Sequence, residues 1–398
     1  MDIYGKKMQF CAVMSRRQPL EIALAINVGI THLERVVRGI REYAERHTSW
    51  RFLISPETHY LSPTALEGWK GNGVIALANT PEDIAVLDSL NCPVVNLSGA
   101  LAKTPFPRVR PDYEQLGKMG AWHLLDRGYR RFGFYGIADI WYSQCYERGF
   151  SAELERKGFD CSILQVPGTL SAKTRWDVGQ GELELWLGTL TPPFAVMAAH
   201  DPRAAMVIRA CERVGLRVPE DVAVIGVNND TTACESCRPP LTSIERNDAE
   251  IGHEAARMLD RLIQGKVLTS DEHVVLPGEI RDRASTDSLA VDHPDLLSAV
   301  EFARSHFHEP IGVNDLVDAT PRSRRWLEDA FLESLGCTPR AFIFRLRIRE
   351  AQRLLVEEPD LAQGEVARRC GYSGTRQMNA QFRSELGITA KDYGRDEV

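Results

Sequence analysis

Two stretches decide the organisation of the chain: SRRWLEDAFLESLGCTPRAF at 323–342 and GTRQMNAQFRSELGITAKDY at 374–393. They align at an offset of 51. Leu327, Phe331 and Leu335 recur every four residues in the first, and Met378, Phe382 and Leu386 in the second. That spacing sets three apolar side chains on one face of a helix. Gly336 and Gly387 follow, where a left-handed residue stops a helix. Thr338 pairs with Thr389, Phe342 with Tyr393, and Leu316 with Ala367 on the preceding helix of each unit. The pattern is that of one helix–turn–helix unit written twice.

The outer faces suit base edges. In the first unit Ser323 caps a helix whose solvent side carries Arg324, Arg325, Glu328 and Asp329. Arginine can pair bidentately with guanine, and an acid can accept from cytosine. The second unit presents Thr375, Arg376, Gln377 and Asn379, and the amides suit adenine. Between the units, 339–356 reads as a helix of roughly 27 Å at ~1.5 Å per residue. It is long enough to set both reading helices in neighbouring major grooves, ~34 Å apart on one side of a duplex. Arg345, Arg347, Arg349 and Arg353 lie on it as candidates for phosphate contact or for pairing with nearby glutamates. Residues 293–398 hold 15 Lys+Arg against 17 Asp+Glu, so non-specific DNA affinity should be modest.

The residues quoted, with Thr338-Pro339, Arg347, Ala351, Leu354-Leu355, Cys370-Gly371-Tyr372 and Gly387-Ile388-Thr389, resemble the AraC-type DNA-binding domain over about a quarter of the chain. Ala390 stands where that family usually has Pro, and Gly394 precedes Arg395 where Tyr is usual.

The larger, preceding part reads differently. Apolar runs at 20–26, 51–54, 74–77, 94–97, 132–135, 195–198 and 222–227 alternate with amphipathic stretches at 32–47, 82–90, 112–127, 144–157, 181–187, 203–214 and 248–264. Such alternation predicts doubly wound parallel sheets. About 265 residues exceed one sheet, so two lobes are expected. The expected organisation is an extension at 1–19, a two-lobed α/β sensor at 20–284, a linker at 285–294 and an all-α domain at 295–398 with two helix–turn–helix units.

In open parallel sheets, ligands collect beyond the carboxyl ends of the strands. Polar residues stand there repeatedly, among them Asn27, Asn79, Asn96, Ser98, His200, Asp201, Asn228 and Asp230. Trp141, Tyr142, Tyr146 and Trp176 could stack on a sugar ring, whereas Trp69 and Trp186 read as core. The run at 217–226 with Asn228-Asn229, the Pro239-Pro240-Leu241-Thr242 segment and the stretch at 123–132 resemble the LacI-type sugar sensors, with their two-lobed periplasmic-binding-protein fold. Those sensors often grip sugar with an Arg three residues before the Gly that here is Gly149; this chain has Tyr146 there, Arg148 displaced, and His200 where a small polar residue is common. The candidate effector contacts are Asn27, Asn96, Asp112, Tyr146, Arg148, His200, Asp201 and Asn228.

A LacI-like sensor followed by an AraC-type domain resembles regulators of pentose operons. That resemblance implies xylose or another monosaccharide as effector, a homodimer on operator DNA with direct repeats, and activation beside RNA polymerase. Composition agrees with a folded regulator. The 398 residues are 43% hydrophobic and 26% charged, with net charge −7, so DNA contact must be local and not a global basic field. No run approaches a membrane span. Arg16-Arg17 before an apolar run imitates a leader, but Glu21 interrupts it; a cytoplasmic protein is expected. Nine scattered cysteines suit a reducing compartment, and Cys234 and Cys237 read as packing residues. No phosphate loop, dinucleotide fingerprint, nucleophile elbow or zinc-protease motif occurs, so neither an enzyme, a cofactor nor a metal is expected. Two other readings remain open: a sugar receptor without gene control, and an enzyme using the interlobe cleft.

Overall fold

The computed structural model describes residues 19–55, 60–168, 179–288, 293–358 and 360–393. The expected extension at 1–19 and Trp176 thus lie almost wholly outside the described residues. The first lobe opens with β1 (Leu20–Ala25), α1 (Thr31–His47), β2 (Trp50–Leu53), β3 (Gly73–Ala76), α2 (Pro81–Asp88), β4 (Val94–Asn96) and β5 (Arg108–Pro111). The chain then crosses to a second lobe of α3 (Tyr113–Leu125), β6 (Phe132–Ala138), α4 (Trp141–Arg156), β7 (Cys161–Pro167), α5 (Gln180–Thr189), β8 (Phe194–Ala198), α6 (Asp201–Arg213), β9 (Val222–Val227), α7 (Thr231–Ser236) and β10 (Thr242–Ile244). It returns for α8 (Asp248–Ile263) and β11 (Glu272–Val275), and crosses a third time to β12 (Ile280–Arg281).

Each lobe holds a six-stranded sheet, ordered β11-β5-β4-β3-β1-β2 and β12-β10-β9-β8-β6-β7. All pairings are parallel except β10 with β12. The central strands β3, β8 and β9 are buried along their whole length, which is why they read as unbroken apolar runs. The short strands β5, β10, β11 and β12 and the edge strand β7 carry no such run.

Two helix pairs meet at backbone distance, one per lobe. A Cβ on Gly39 of α1 would strike the carbonyl of Ala249, and one on Gly252 of α8 that of Val36. In the second lobe Gly117 of α3 faces the carbonyl of Tyr146, and Gly149 of α4 that of Glu114.

The C-terminal part contains α9 (Pro294–His306), α10 (Val313–Asp318), α11 (Arg324–Leu335), α12 (Pro339–Glu357), α13 (Gln363–Arg369), α14 (Thr375–Leu386) and α15 (Ala390–Tyr393). The repeat holds in three dimensions. Phe331 meets Phe342 edge-on at 5.6 Å and 71°, and Phe382 meets Tyr393 at 5.7 Å and 75°. Gly336 and Gly387 stop α11 and α14 at φ of 60° and 77°. Helix α12 serves both units. Phe342 and Ile343 enter the core of α9, α10 and α11, while Ile348, Ala351 and Leu354 enter that of α13, α14 and α15. Arg347 on this helix is buried and donates to the carbonyls of Phe307, Glu309 and Ile311 at 2.8–2.9 Å.

The polar segment read as a linker begins inside the second lobe. Ser285 and Thr286 are fully buried there, and Ser285 Oγ donates to the carbonyl of Val224 at 2.6 Å. Pro294 opens α9, where a missing N–H costs nothing.

Gly149→Ala tests the close helix pair. Overpacking against a backbone carbonyl costs about 1–3 kcal/mol, more than the roughly 1 kcal/mol that alanine adds in helix propensity. We expect a lower urea midpoint; an unchanged or higher one would show that α3 and α4 separate freely.

Candidate functional site

The carboxyl ends of both sheets face a cleft, and the lobes touch across it. Trp141 and Tyr142 at the start of α4 donate their backbone N–H groups to the carbonyls of Ala100 and Gly99, both at 3.0 Å. Thr31 Oγ1 lies 3.3 Å from Asp230 Oδ1. Arg35 of α1 donates to the carbonyls of Asn228 and Asn229 on the β9–α7 loop, at 2.5 and 3.2 Å, and to Asp248 at 2.9 Å.

Asp248 is the centre of this arrangement. Its side chain is fully buried and takes Arg35 on one oxygen and Arg246 on the other, at 2.9 and 2.8 Å. Burial opposes the charge on Arg246, but Asp248 and the hydroxyls of Tyr146 and Tyr113 outweigh it and hold its pKa above the ordinary value. Tyr113, Tyr142 and Tyr146 pack on one another with ring centroids 5.6–6.2 Å apart. Burial pushes the Tyr113 hydroxyl up to about 12 and Tyr142 and Tyr146 up as well, so all three remain neutral donors and acceptors. His32 and His200 interact from opposite lobes, and burial keeps both uncharged: His32 well below its ordinary pKa, His200 down to about 4. Arginine, aspartate and neutral hydroxyls around one space form a donor-and-acceptor set that fits a polyhydroxy ligand.

The expected effector residues divide. His200 caps α6, its Nδ1 accepting from the Arg203 N–H at 3.2 Å. Asn228 lies at the cleft with φ of 105°, its side-chain amide without a hydrogen bond among the described residues. Asn27 is half-buried after β1 and accepts from the N–H of Gly29 at 3.1 Å. Tyr146 belongs to the buried tyrosine group, in the core beneath the cleft. The other four are engaged with partners of their own. The Asn96 amide is turned inward, its oxygen accepting from Ala78 N and Ser98 N at 3.1 and 2.8 Å. Asp201 is fully buried and accepts from Ser243 Oγ and Asp230 N at 2.5 and 2.7 Å. Asp112 caps α3 through Gln115 N at 3.0 Å. Arg148 is half-exposed on α4 and pairs with Glu114 at 3.1 Å. Sequence reasoning missed Arg35, Arg246, Asp248 and His32. The one available signal was the Glu245–Asp248 run directly after β10, at a strand end.

The reading helices keep their outer faces open. Arg325 is 93% exposed, its nearest acid Asp329 at 3.9 Å, and Arg376 is exposed. Ser323 caps α11 through Trp326 N at 3.3 Å. Arg324 is tied to Glu328 at 2.9 Å and to Asn314 at 3.3 Å. Thr375 is exposed at the start of α14. Two expected readers face their own backbone instead. Gln377 accepts from Ser373 N at 2.8 Å, and Asn379 accepts from Ala390 N at 2.9 Å while donating to the carbonyl of Thr375 at 3.0 Å. Arg383, seven residues beyond Arg376 and on the same face, is exposed and was not anticipated. Of the four arginines expected to reach phosphate, Arg347 is buried on backbone carbonyls and the other three are paired with acids. Arg345 and Arg349 pair with Asp126 of α3 at 3.1 and 2.8 Å, and Arg353 with Glu350 at 2.5 Å.

Glu250, His253 and Glu254 bring possible ligand atoms within 4.8 Å of one another, but Glu254 is already held by Arg257. Among the described residues no helix is long and apolar enough to cross a membrane.

Residues 121–286 match the periplasmic binding protein-like domain family, and residues 316–396 the helix-turn-helix domain family. Fold, cleft and paired helices thus define a DNA-binding transcription regulator with a periplasmic-binding-protein-like sensor. Over nearly its whole length it is similar to the xylose operon regulatory proteins. The one from Escherichia coli is 28% identical over 94% of this chain and 96% of its own length, and that from Haemophilus influenzae 26% over 94% and 98%. The solved structure of the xylose-binding transcription activator XylR covers 95% of this chain and 98% of its own at a TM-score of 0.61 and 26% identity. All three are named as regulators of transcription or of an operon.

The buried imidazoles give stability a defined pH dependence. His32, His123 and His200 all have folded pKa values below the ordinary 6.5, His123 through burial and then Arg127. The unfolded chain therefore binds more protons below about pH 6.5, and stability falls as pH falls through that window. Asp201, which burial pushes up to about 7, acts in the opposite sense. Glu250, which burial also raises, acts with Asp201, and the three imidazoles outnumber the two carboxyls. Urea unfolding between about pH 5 and 6 should show a positive slope, shallower by about 1.4 kcal/mol per unit in His123→Gln.

Proposed function

We propose that this regulator responds to a pentose and controls an operon for its use, with D-xylose as the first candidate. The observation that carries the reading is the Arg35–Asp248–Arg246 set beside three neutral tyrosine hydroxyls at the interlobe contact. A monosaccharide offers hydroxyls to the partly exposed Arg35, Arg246 and Tyr142, which the buried Asp248, Tyr113 and Tyr146 hold in place. Arg246 takes the part of the sugar-gripping arginine that position 146 lacks, reaching the same space from the crossing after β10. Of the residues read from sequence, His200 and Asn228 act as direct contacts and Asn27 borders the site.

Sugar changes the gap between the lobes, and the second lobe carries the DNA-binding helices on Asp126. A ligand shifts such an equilibrium only by its difference in affinity for the two arrangements. We take the sensor as residues 20–284 and the DNA-binding part as 295–398. The working form is a cytoplasmic homodimer on direct repeats, activating transcription through contact with RNA polymerase. Arg325, Arg376 and Arg383 make the base contacts, Arg324 with Glu328 forms a local pair at the same surface, and Ser323 and Thr375 contact the backbone.

Two measurements test this reading. In a thermal-shift screen of monosaccharides, D-xylose should raise the melting temperature; ~100 times Kd adds about 2.7 kcal/mol. Arg246→Met should weaken sugar binding by about 1.5–3 kcal/mol, the worth of hydrogen bonds to a charged group. If no sugar in the panel shifts the wild type, the sensor assignment fails. On a promoter fragment protected by the wild type, Arg325→Ala and Arg376→Ala should each cost ~1–3 kcal/mol and relax preference at one base pair. Equal losses on every sequence would move these arginines to phosphate contacts.

A further inference from the structure

Helix α8 places Glu250, His253 and Glu254 on one face, at the i, i+3 and i+4 spacing that stacks side chains over a single turn. One possible ligand atom from each lies within 4.8 Å of the other two. His273 of β11 reaches the same carboxylate, its Nε2 3.6 Å from Glu254 Oε2. His253 Nδ1 stands 3.6 Å from Glu254 Oε1. Both gaps are too long for a hydrogen bond. They are close to the spacing of co-ligands, since bonds of about 2.0–2.1 Å in a tetrahedron set neighbouring donor atoms roughly 3.3–3.4 Å apart. The groups are also short of partners. His253 Nδ1 is buried with no hydrogen-bond partner among the described residues, and Glu250, half-buried, makes no hydrogen bond or ion pair among them. The Glu254 side chain is only 9% exposed; Arg257 takes its Oε2 and leaves Oε1 toward His253. Tyr43 meets His253 edge-on at 5.3 Å and fixes the ring.

We infer that Glu250, His253, Glu254 and His273 hold one divalent transition-metal ion of the zinc class. Two imidazoles and two carboxylates suit that class, whereas Mg²⁺ and Ca²⁺ take all-oxygen sets. Arg257 offsets only one of the two carboxylates, and a dication supplies the missing charge. It also gives the buried Nδ1 the partner it lacks. The ion ties the first turns of α8 to β11. The chain enters α8 from one interlobe crossing and leaves β11 by another, so the ion braces both from the side of the first lobe. None of the four residues belongs to the effector set, and the inference stands apart from the sugar reading.

The test titrates the full chain, reduced and stripped with chelator, with Zn²⁺, Co²⁺ and Mg²⁺ in thermal-shift, calorimetric and absorption measurements, with no sugar present. We expect a single equivalent of Zn²⁺ to bind and raise the melting temperature, and Mg²⁺ to do neither. Bound Co²⁺ should absorb in the visible without a thiolate charge-transfer band. Glu250→Gln and His253→Gln should each weaken Zn²⁺ binding by more than the ~10–100-fold typical of an outer-shell partner. The Glu250 carboxylate has no partner to lose, so Glu250→Gln should melt like the metal-free wild type, which separates lost ligation from lost folding. No saturable response to Zn²⁺, a thiolate band from any of the nine cysteines, or undiminished affinity in both variants overturns the inference.

Discussion

Asp126 holds the two halves of the molecule in register. It sits at the C-terminal end of α3, where the helix dipole disfavours a negative charge, and its side chain is only 4% exposed. Two guanidiniums from α12 compensate it. Breaking a buried pair by deleting one partner costs about 3–5 kcal/mol, because the other charge is left stranded. The contact places the middle of α12, and α12 carries both reading helices through its shared core. Gly336 rests against Phe159 and Arg130, and Glu385 lies beside Arg156 and Lys157. The C-terminal ends of α11 and α14 are thus turned toward the sensor, while Arg325 and Arg376 at their other ends stay open.

How much of the fold the sequence reveals follows from how local each cause is. The tandem helices were readable because a spacing of four residues and a terminal glycine are local facts, as the matched Phe331–Phe342 and Phe382–Tyr393 contacts bear out. The central strands were readable as unbroken apolar runs. Strands β5 and β11 were not. They form one edge of the first sheet, and Arg108 and Arg110 on one pair with Glu272 on the other at 2.6 and 2.9 Å. Two charged segments lying 164 positions apart become a strand pair through each other, and neither shows it alone.

The effector cleft followed the same logic. Strand ends gave its location but not the direction of any side chain, so Asn96 and Asp201 proved to brace loops. Arg35 and Asp248 meet across 213 positions, which no local pattern records. In the reading helices the exposed arginines could be counted from helical periodicity. The inward turn of Gln377 and Asn379 depends on Ser373 and Ala390, whose backbone N–H groups take those side chains.

The glycine contacts of α1 with α8 and of α3 with α4 carry a mechanical consequence. Helices meeting backbone to backbone leave no side-chain layer that could shear, so each lobe behaves as a stiff block. Compliance is then concentrated in the three strands of chain that cross between the lobes. A small rotation there is not absorbed within either block but is delivered whole to whatever is bolted onto the second. A turn at the crossings would therefore be passed on to α12 through Asp126.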